Sequence, residues 1–238
     1  MFASLLTALA LTAMSLAQPG PGTVTGDISV HDPTICKDSA GTYFIFSTGQ
    51  GIPIRTSTDR TAWTSTGTVW PNGAPSATDQ FTGTTNGDLW APDCTYLDGT
   101  FHLYYAASTF GSQTSGIFLA TSTTGAPGSW TDHGLVTSSS SSNDYNAIDP
   151  NLLIDGSNWL MSLGSFWTGI KDMTLNPSTG LLASTATTSL AERTADGGAI
   201  EASVVWKQGD FYYLFSSWDK CCQGLSSTYN IRVGRSSR

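Results

Sequence analysis

The sequence predicts an all-β chain, and three observations lead to this class. Charged residues make up only 12% of the 238 residues, while Ser, Thr and Gly are abundant and runs of helix-forming Glu, Lys and Ala are lacking. Short apolar and aromatic segments alternate with turns that contain glycine, as in a series of hairpins. A similar set of segments also recurs four times along the chain.

Each of the four repeats opens with an acidic residue in an apolar or small context. These acidic residues are 61, 56 and 52 residues apart. They are Asp32, Asp93, Asp149 and Glu201. A glycine-containing turn and an aromatic-rich strand follow each of them, with the strands expected at 42–46, 101–105, 159–163 and 211–215. Third strands are expected at 116–121 and 229–234, and the serine run at 138–142 is expected to form a solvated loop.

Repeats of this length, each with several short strands, predict a β-propeller. The innermost strand of each blade lines the central channel, so an acidic residue early on that strand points into the channel mouth. Four equivalent residues would then meet although they are distant in sequence. The alternative is a β-sandwich with the acidic residues scattered over its surface, and the regular order of acid, turn and aromatic strand argues against it.

The N-terminal segment predicts export. Residues 2–16 are apolar and uncharged, and Ser15 and Ala17 are small residues at the two positions that a signal peptidase reads. We therefore expect a signal peptide at 1–17 and a single propeller domain at 18–238, secreted from the cell. A buried N-terminal helix is the alternative, but the Pro- and Gly-rich stretch at 18–22 would interrupt it.

The net charge and the cysteines indicate which binding partners and which compartment suit the chain. With a net charge of −8 and only 10 Lys and Arg residues, the chain has no basic surface for nucleic acid, and a neutral substrate fits best. No later segment suits a membrane span, so no membrane partner is expected. Four cysteines in an oxidising compartment predict disulfides, and their three pairings stay open at this point. No metal site is predicted, because the cysteine and histidine spacing of zinc sites is lacking.

Five short motifs, in order and at blade spacing, resemble one enzyme family. They are His31-Asp32-Pro33, Leu89-Trp90-Ala91-Pro92-Asp93, Tyr145-Asn146-Ala147-Ile148-Asp149-Pro150-Asn151, Gly164-Ser165-Phe166-Trp167 and Ala199-Ile200-Glu201-Ala202-Ser203. The chain from His31 to Arg235 resembles the five-bladed propeller glycosidases of family 43, and most closely the fungal endo-1,5-α-L-arabinanases. The resemblance implies hydrolysis of arabinan, a pectin side chain, by a monomer that requires no cofactor.

The resemblance assigns three carboxylates. Asp32 matches the general base, Glu201 the general acid, and Asp149 the group that orients the acid and raises its pKa. Glycoside cleavage needs one protonated and one ionised carboxyl group, and inversion requires them to be roughly 6.5–9.5 Å apart. Taken singly, an Asp-Pro pair is an ordinary turn signal. A carboxylate on an apolar strand, such as Glu201, is costly unless it faces a cleft or a partner.

The same resemblance implies a set of residues that contact the sugar, several of them aromatic and suited to stacking on its C–H faces. This set comprises Asp32, Trp90, Phe110, Gly111, Asn146, Ala147, Ile148, Asp149, Ser165, Phe166 and Trp167. Asp93 is expected to be a structural or substrate-side contact, and His31 to support the base or line the pocket. Three other tryptophans are expected to pack in the core or between blades. They are Trp63, Trp130 and Trp206.

Two alternative functions stay open, and the chain departs from the family in one respect. The chain could instead act as an exo-acting arabinofuranosidase or xylosidase of the same family, or as a carbohydrate-binding propeller without catalysis. The last expected strand, at 233–236, belongs to a fourth blade, whereas members of the family continue into a fifth. We therefore expect an incomplete propeller of the five-bladed type with about four blades. The histidine that the family uses near a central ion has no counterpart, which puts a structural ion in doubt.

Overall fold

A computed structural model describes residues 22–237. The predicted signal peptide at 1–17 lies outside these residues and stays a prediction. Within the described residues no helix has the length and apolar character needed to cross a bilayer. The all-β prediction is confirmed, because strands make up nearly all of the regular structure.

The chain contains seventeen strands. In chain order they are β1 (Thr25–Gly26), β2 (Thr34–Lys37), β3 (Tyr43–Phe46), β4 (Gly49–Gln50), β5 (Pro53–Ser57), β6 (Ala62–Thr68), β7 (Asp88–Leu97), β8 (Thr100–Ala107), β9 (Ser115–Ser122), β10 (Thr131–Ser139), β11 (Asn151–Asp155), β12 (Asn158–Leu163), β13 (Ile170–Leu175), β14 (Thr188–Ala191), β15 (Ile200–Gln208), β16 (Phe211–Trp218) and β17 (Asn230–Ser236). One four-residue helix, α1 (Asp79–Thr82), and three single 3₁₀ turns complete the described structure. The 3₁₀ turns are Ser76–Thr78, Asp196–Gly198 and Gly224–Ser226.

The strands form four sheets, which are the blades of a propeller. Blade 1 has the strand order β1-β6-β5-β3-β2, blade 2 has β10-β9-β8-β7-β4, blade 3 has β11-β12-β13-β14, and blade 4 has β15-β16-β17. All neighbouring strands are antiparallel except β1 and β6, which run parallel. The inner strands β2, β7, β11 and β15 contact each other in sequence around the centre. The predicted propeller with about four blades is therefore confirmed.

Tight turns set the register within the blades. β7 and β8 are joined by Asp98 and Gly99, whose φ angles are 49° and 81°. Positive φ at both central residues defines a type I′ turn, which matches the twist of the two strands and favours Asp-Gly. The Asp-Gly turn predicted at this point thus fixes the hairpin, and Leu97 lies opposite Thr100.

Side-chain alternation on β8 builds the core between blades. Phe101, Leu103 and Tyr105 belong to one buried cluster with β3 and β5 of blade 1. Tyr104, which points to the other face, belongs to a second cluster with β11 and β12 of blade 3. Because successive residues of a strand point to opposite faces, blade 2 packs against both of its neighbours. The disulfide between Cys36 and Cys94 also joins β2 to β7.

A repeated polar link joins consecutive inner strands. The Thr34 hydroxyl accepts a hydrogen bond from the Cys94 N–H at 3.1 Å. One blade further on, Asp93 accepts from the Leu152 N–H at 2.8 Å. The next link is from the Val205 N–H to the side-chain oxygen of Asn151, also at 2.8 Å. Each inner strand therefore holds the backbone of the following one by a single side chain.

Blade 4 differs from the others because part of its apolar surface is exposed. Trp63 and Trp130 are buried as expected, whereas Trp206 on β15 is 60% exposed. The prediction that Trp206 packs in the core or between blades is therefore wrong. Within residues 22–237 no further sheet covers this side of β15, whose last five residues are all exposed except the half-buried Val205.

Candidate active site

One backbone feature recurs at the mouth of the channel in all four blades. Asp32, Ala91, Asp149 and Ala202 all have left-handed φ angles, between 41° and 56°. Residues other than glycine adopt this conformation rarely, so its recurrence marks the equivalent position of each repeat. The position matched in blade 2 is Ala91, and Asp93 lies two residues further along. Asp93 therefore does not occupy the position of Asp32 and Asp149, although the spacing of acidic residues had grouped them.

A cleft of about 1270 Å³ opens at this end of the molecule and is lined by residues of all four blades. Asp32 of blade 1, Asp149 of blade 3 and Glu201 of blade 4 all line it. The three carboxylates assigned by resemblance are thus brought together from positions far apart in the sequence. The cleft is large enough for several sugar rings, since ordinary ligand sites measure about 300–1,000 Å³.

The residues expected to contact substrate lie around the same cleft, with one exception. Those that line it are Asp32, Trp90, Phe110, Gly111, Asn146, Ile148, Asp149, Ser165, Phe166 and Trp167. Phe110 is 81% exposed and Trp167 is 41% exposed, so both rings are open to a ligand. Ala147 is the exception, because it is fully buried in the core cluster of blades 2 and 3. Its side chain supports this segment from behind and does not line the cleft.

Asp32 is the most open of the three carboxylates. Its side chain is 38% exposed, and His31 Nε2 lies 3.4 Å from its Oδ2 atom. The Thr48 hydroxyl donates a 2.8 Å hydrogen bond to the same oxygen. That hydroxyl in turn accepts from the Ala91 N–H of blade 2 at 2.8 Å. The carboxylate is held in place while it remains accessible to water.

Glu201 is held by two hydroxyl groups, one on each carboxyl oxygen. Ser165 donates to Oε2 at 2.6 Å, and Tyr229 donates to Oε1 at 2.8 Å. Ser165 is buried, at 3% exposure, and lies in the loop between β12 and β13. Tyr229 comes directly before β17. The orientation of Glu201 therefore depends on blade 3 as well as on its own blade.

Asp149 lies deepest of the three. Burial of the carboxyl group raises its pKa well above the usual value, and the negative charges of Glu201 and Asp32 raise it further. A 3.0 Å hydrogen bond from the Ala202 N–H opposes this shift. Asp149 is therefore protonated at pH values where an exposed aspartate is ionised. Burial of the Asp149 carboxyl group is the largest cause of this shift.

Asp93 makes structural contacts, which is one of the two roles expected from the sequence. Its two carboxylate oxygens accept from the Leu152 N–H and, at 3.2 Å, from the side-chain amide of Asn151. Burial raises the pKa of Asp93 to about 6, although both hydrogen bonds act in the opposite direction. The group joins blade 2 to blade 3 at the wall of the cleft.

Three residues of the site were missed by the sequence analysis. Thr48 and Tyr229 lie outside the repeated motifs, and no spacing or motif singles them out. Ser139, which belongs to the serine run expected to be solvated, is 4% exposed and accepts from the Ala147 N–H at 2.8 Å. The adjacent Cys221 and Cys222 form a disulfide at the rim of the cleft. The sequence alone allows this pairing as one of three.

No group of three or more His, Cys, Asp or Glu side chains in the described range 22–237 is arranged to hold a metal. The three cleft carboxylates hold hydrogen bonds from hydroxyl and N–H groups.

Comparison of the sequence with known proteins identifies one family. Residues 23–238 match the profile of the glycosyl hydrolases family 43. The arabinan endo-1,5-alpha-L-arabinosidase A of Aspergillus niger is 43% identical over 225 residues, which cover 91% of this chain and 68% of that protein. The extracellular endo-alpha-(1->5)-L-arabinanase 1 of Bacillus subtilis is 42% identical over 220 residues, which cover 87% of this chain and 65% of that protein.

Solved structures show the same similarity. The endo-arabinanase of Bacillus licheniformis superposes with a TM-score of 0.84 at 39% identity, covering 91% of this chain and 74% of that one. The α-L-arabinanase of Cellvibrio cellulosa, solved in complex with arabinohexaose, superposes with a TM-score of 0.80 at 36% identity. That match covers 89% of this chain and 71% of the relative.

Proposed function

Because the chain belongs to the glycosyl hydrolases of family 43, we propose that it is an endo-acting, inverting enzyme that cleaves α-1,5-L-arabinofuranosidic bonds in linear arabinan. The observation that carries this proposal is the meeting of Asp32, Asp149 and Glu201 in one cleft. Two relatives named as endo-1,5-α-L-arabinosidase and endo-arabinanase support the reaction. The relative that binds arabinohexaose supports the substrate.

In the proposed reaction, Asp32 accepts a proton from the water that attacks the anomeric carbon. Glu201 donates a proton to the glycosidic oxygen, the bond from that oxygen to the anomeric carbon breaks, and the configuration inverts. The exposure of Asp32 suits the first role, because the attacking water must reach it. The two hydroxyl groups on Glu201 suit the second role, because they fix the direction of its carboxyl group.

Asp149 supports the acid in this proposal without touching the reacting bond. Two carboxyl groups that repel each other do not ionise together, and the proton that remains belongs to the pair. Burial is the largest cause of the raised pKa of Asp149, and the charges of Glu201 and Asp32 add to it. Asp149 therefore holds a proton at pH values where an isolated aspartate would be ionised, in the same cleft as the group assigned as the acid.

Substitution of the acid and the base tests the proposal. Glu201→Gln and Asp32→Asn should each lower the release of reducing ends from debranched arabinan by about 10²- to 10⁴-fold, because each removes one proton transfer. Asp98→Asn, in the exposed turn after β7, is the control and should keep the wild-type rate. Wild-type rates in either cleft variant would rule out the assigned roles.

Product lengths separate the remaining alternatives. Endo action should release a mixture of arabino-oligosaccharides from the start of digestion, whereas exo action should release one short product from the chain end. Activity on xylan in place of arabinan would favour the xylosidase alternative. Binding of arabinohexaose without any release of reducing ends would favour a carbohydrate-binding propeller and contradict the enzymatic proposal.

We also propose that the protein is secreted. The Bacillus subtilis relative is named as extracellular. Two disulfides, Cys36–Cys94 and Cys221–Cys222, occur in the described chain, and such bonds persist in oxidising compartments. An extracellular location suits an enzyme for plant cell-wall arabinan, because a polysaccharide does not cross the membrane.

A further inference from the structure

The hydroxyl group of Tyr229 makes a direct hydrogen bond to Glu201 that the triad of carboxylates does not explain. The distance from the phenol oxygen to Oε1 is 2.8 Å, and Ser165 occupies Oε2 at 2.6 Å. Both partners are hydroxyl groups, so each can donate a hydrogen bond to Glu201 when its carboxyl group is ionised. The two bonds approach the carboxyl group from different elements, the loop before β17 and the loop after β12.

We propose that Tyr229 is a positioning residue for Glu201, whose hydroxyl group orients the acid and stabilises the carboxylate left after the proton has been donated. The inference rests on the proposed function, because it takes Glu201 as the group that protonates the glycosidic oxygen. Tyr229 itself is not assigned a contact with the substrate.

This role follows from where the proton and the negative charge lie before and after the chemical step. Before the chemical step Glu201 carries the proton, and after it the proton is on the departing sugar oxygen while Glu201 carries a negative charge. Hydrogen bonds to an ionised acceptor are shorter and about twice as strong as neutral ones. The bonds from Tyr229 and Ser165 therefore strengthen as the charge develops, which lowers the energy of the transition state relative to the bound substrate.

The surroundings keep the Tyr229 hydroxyl protonated, as this role requires. Burial and the negative charges of Glu201 and Asp149 raise its pKa well above the usual value. The other charged or titratable side chains that line the same cleft are His31, Asp32, Asp93 and Lys220. A phenol in this environment is a donor throughout the pH range in which such an enzyme works, and it adds no charge of its own.

A second tyrosine on the same blade offers a matched comparison. Tyr212, on β16, donates a hydrogen bond to Asp155 of blade 3. Asp155 is also the partner of Lys207 and does not line the cleft. Tyr212 and Tyr229 thus both link blade 4 to a carboxylate, but only Tyr229 reaches the one assigned to the chemistry. Loss of either hydroxyl removes one hydrogen bond from the fold.

The experiment compares Tyr229→Phe and Tyr212→Phe with wild type on linear arabinan, with kcat, KM and the pH profile of kcat/KM measured for each. Tyr229→Phe should lower kcat about 10- to 100-fold and leave KM within about twofold, as expected for the loss of one hydrogen bond to a charged group. The alkaline limb of its pH profile should move to higher pH, because the ionised acid has lost a donor. Tyr212→Phe should keep the wild-type kcat and the wild-type limb.

Ser165→Ala provides a second test on the other oxygen of Glu201, and it should move the same limb in the same direction. Thermal melts of all variants show whether the fold is kept. If Tyr229→Phe melts like wild type and retains the wild-type kcat and pH profile, the inference is overturned. A limb that stays in place in both variants while kcat falls also overturns it, because that pattern indicates a purely structural contact. A wild-type chain that releases no product from arabinan would instead contradict the proposed function.

Discussion

The titration of Asp93 gives a prediction about stability that can be worked out from the structure. The pKa of this carboxyl is raised from 3.8 to about 6 by burial between blades 2 and 3. Between these two values the folded chain holds a proton that the unfolded chain has lost. The contribution of Asp93 to the free energy of unfolding is therefore fully present below pH 3.8 and is lost as the pH rises through 6.

The size of the effect follows from the shift. A shift of about two units corresponds to about 3 kcal/mol. Part of the Asp93 surface is open to the cleft. Solvent therefore screens the group, and we take about 2 kcal/mol as the expected contribution. Asp149 and Asp172 also have raised pKa values and act in the same direction, so the wild type should lose more than this amount in total.

Substitution of Asp93 by Asn isolates the contribution of this one group. The substituted amide stays neutral at every pH, and its oxygen can still accept from the Leu152 N–H, which donates to the Asp93 carboxylate at 2.8 Å in the wild type. Urea unfolding at pH 4, 5, 6 and 7 gives the free energy of unfolding, which should fall as the pH rises. The fall should be about 2 kcal/mol smaller in Asp93→Asn than in wild type. Asp98→Asn, in an exposed turn, is the control and should follow the wild-type curve. Parallel curves for wild type and Asp93→Asn would refute the reasoning.

Two further predictions concern the substrate and export. Phe110→Ala should raise KM for arabinohexaose about threefold to tenfold with little change in kcat, because the 81% exposed ring can stack on a sugar without contacting Glu201; unchanged steady-state kinetics would exclude Phe110 from the binding surface. Expression of the whole chain in a secreting host should place the protein in the medium with Gln18 as its first residue, which N-terminal sequencing checks. Retention of residues 1–17 on the secreted protein would contradict the predicted cleavage.

The sequence was sufficient for the fold because the features that specify a blade are local. Aromatic and β-branched alternation, Asp-Gly and Gly-containing turns, and repeats of similar length each act within a few residues. The strand predicted at 211–215 is part of β16 (Phe211–Trp218), and the strand predicted at 229–234 overlaps β17 (Asn230–Ser236). Trp206 was placed wrongly because its burial depends on what covers a whole sheet face, which the composition of one strand does not determine.

The carboxylates were found because they lie in repeated motifs, but the groups that hold them were not. Thr48 holds Asp32 across 16 residues and Tyr229 holds Glu201 across 28 residues, while Ser139 accepts from the Ala147 N–H eight residues along the chain. No periodic pattern of the sequence contains these separations. Ser165 was found only through the family resemblance. The distance between a hydroxyl and its acceptor is set by how loops and strands pack within and between blades, and it is therefore a property of the fold and not of a motif.

The odd-numbered and even-numbered blades carry different residues at the equivalent left-handed position. Blades 1 and 3 carry Asp32 and Asp149 at the left-handed position, whereas blades 2 and 4 carry Ala91 and Ala202 there. The Ala202 N–H donates directly to Asp149, and the Ala91 N–H donates to the hydroxyl of Thr48, which donates to Asp32. An alanine in one blade thus supplies the backbone donor that supports the aspartate of the blade before it. Acidic residues counted along the sequence suggested four equivalent positions, but the left-handed backbone shows two aspartates, each supported by the next blade, with Glu201 one residue before the second alanine.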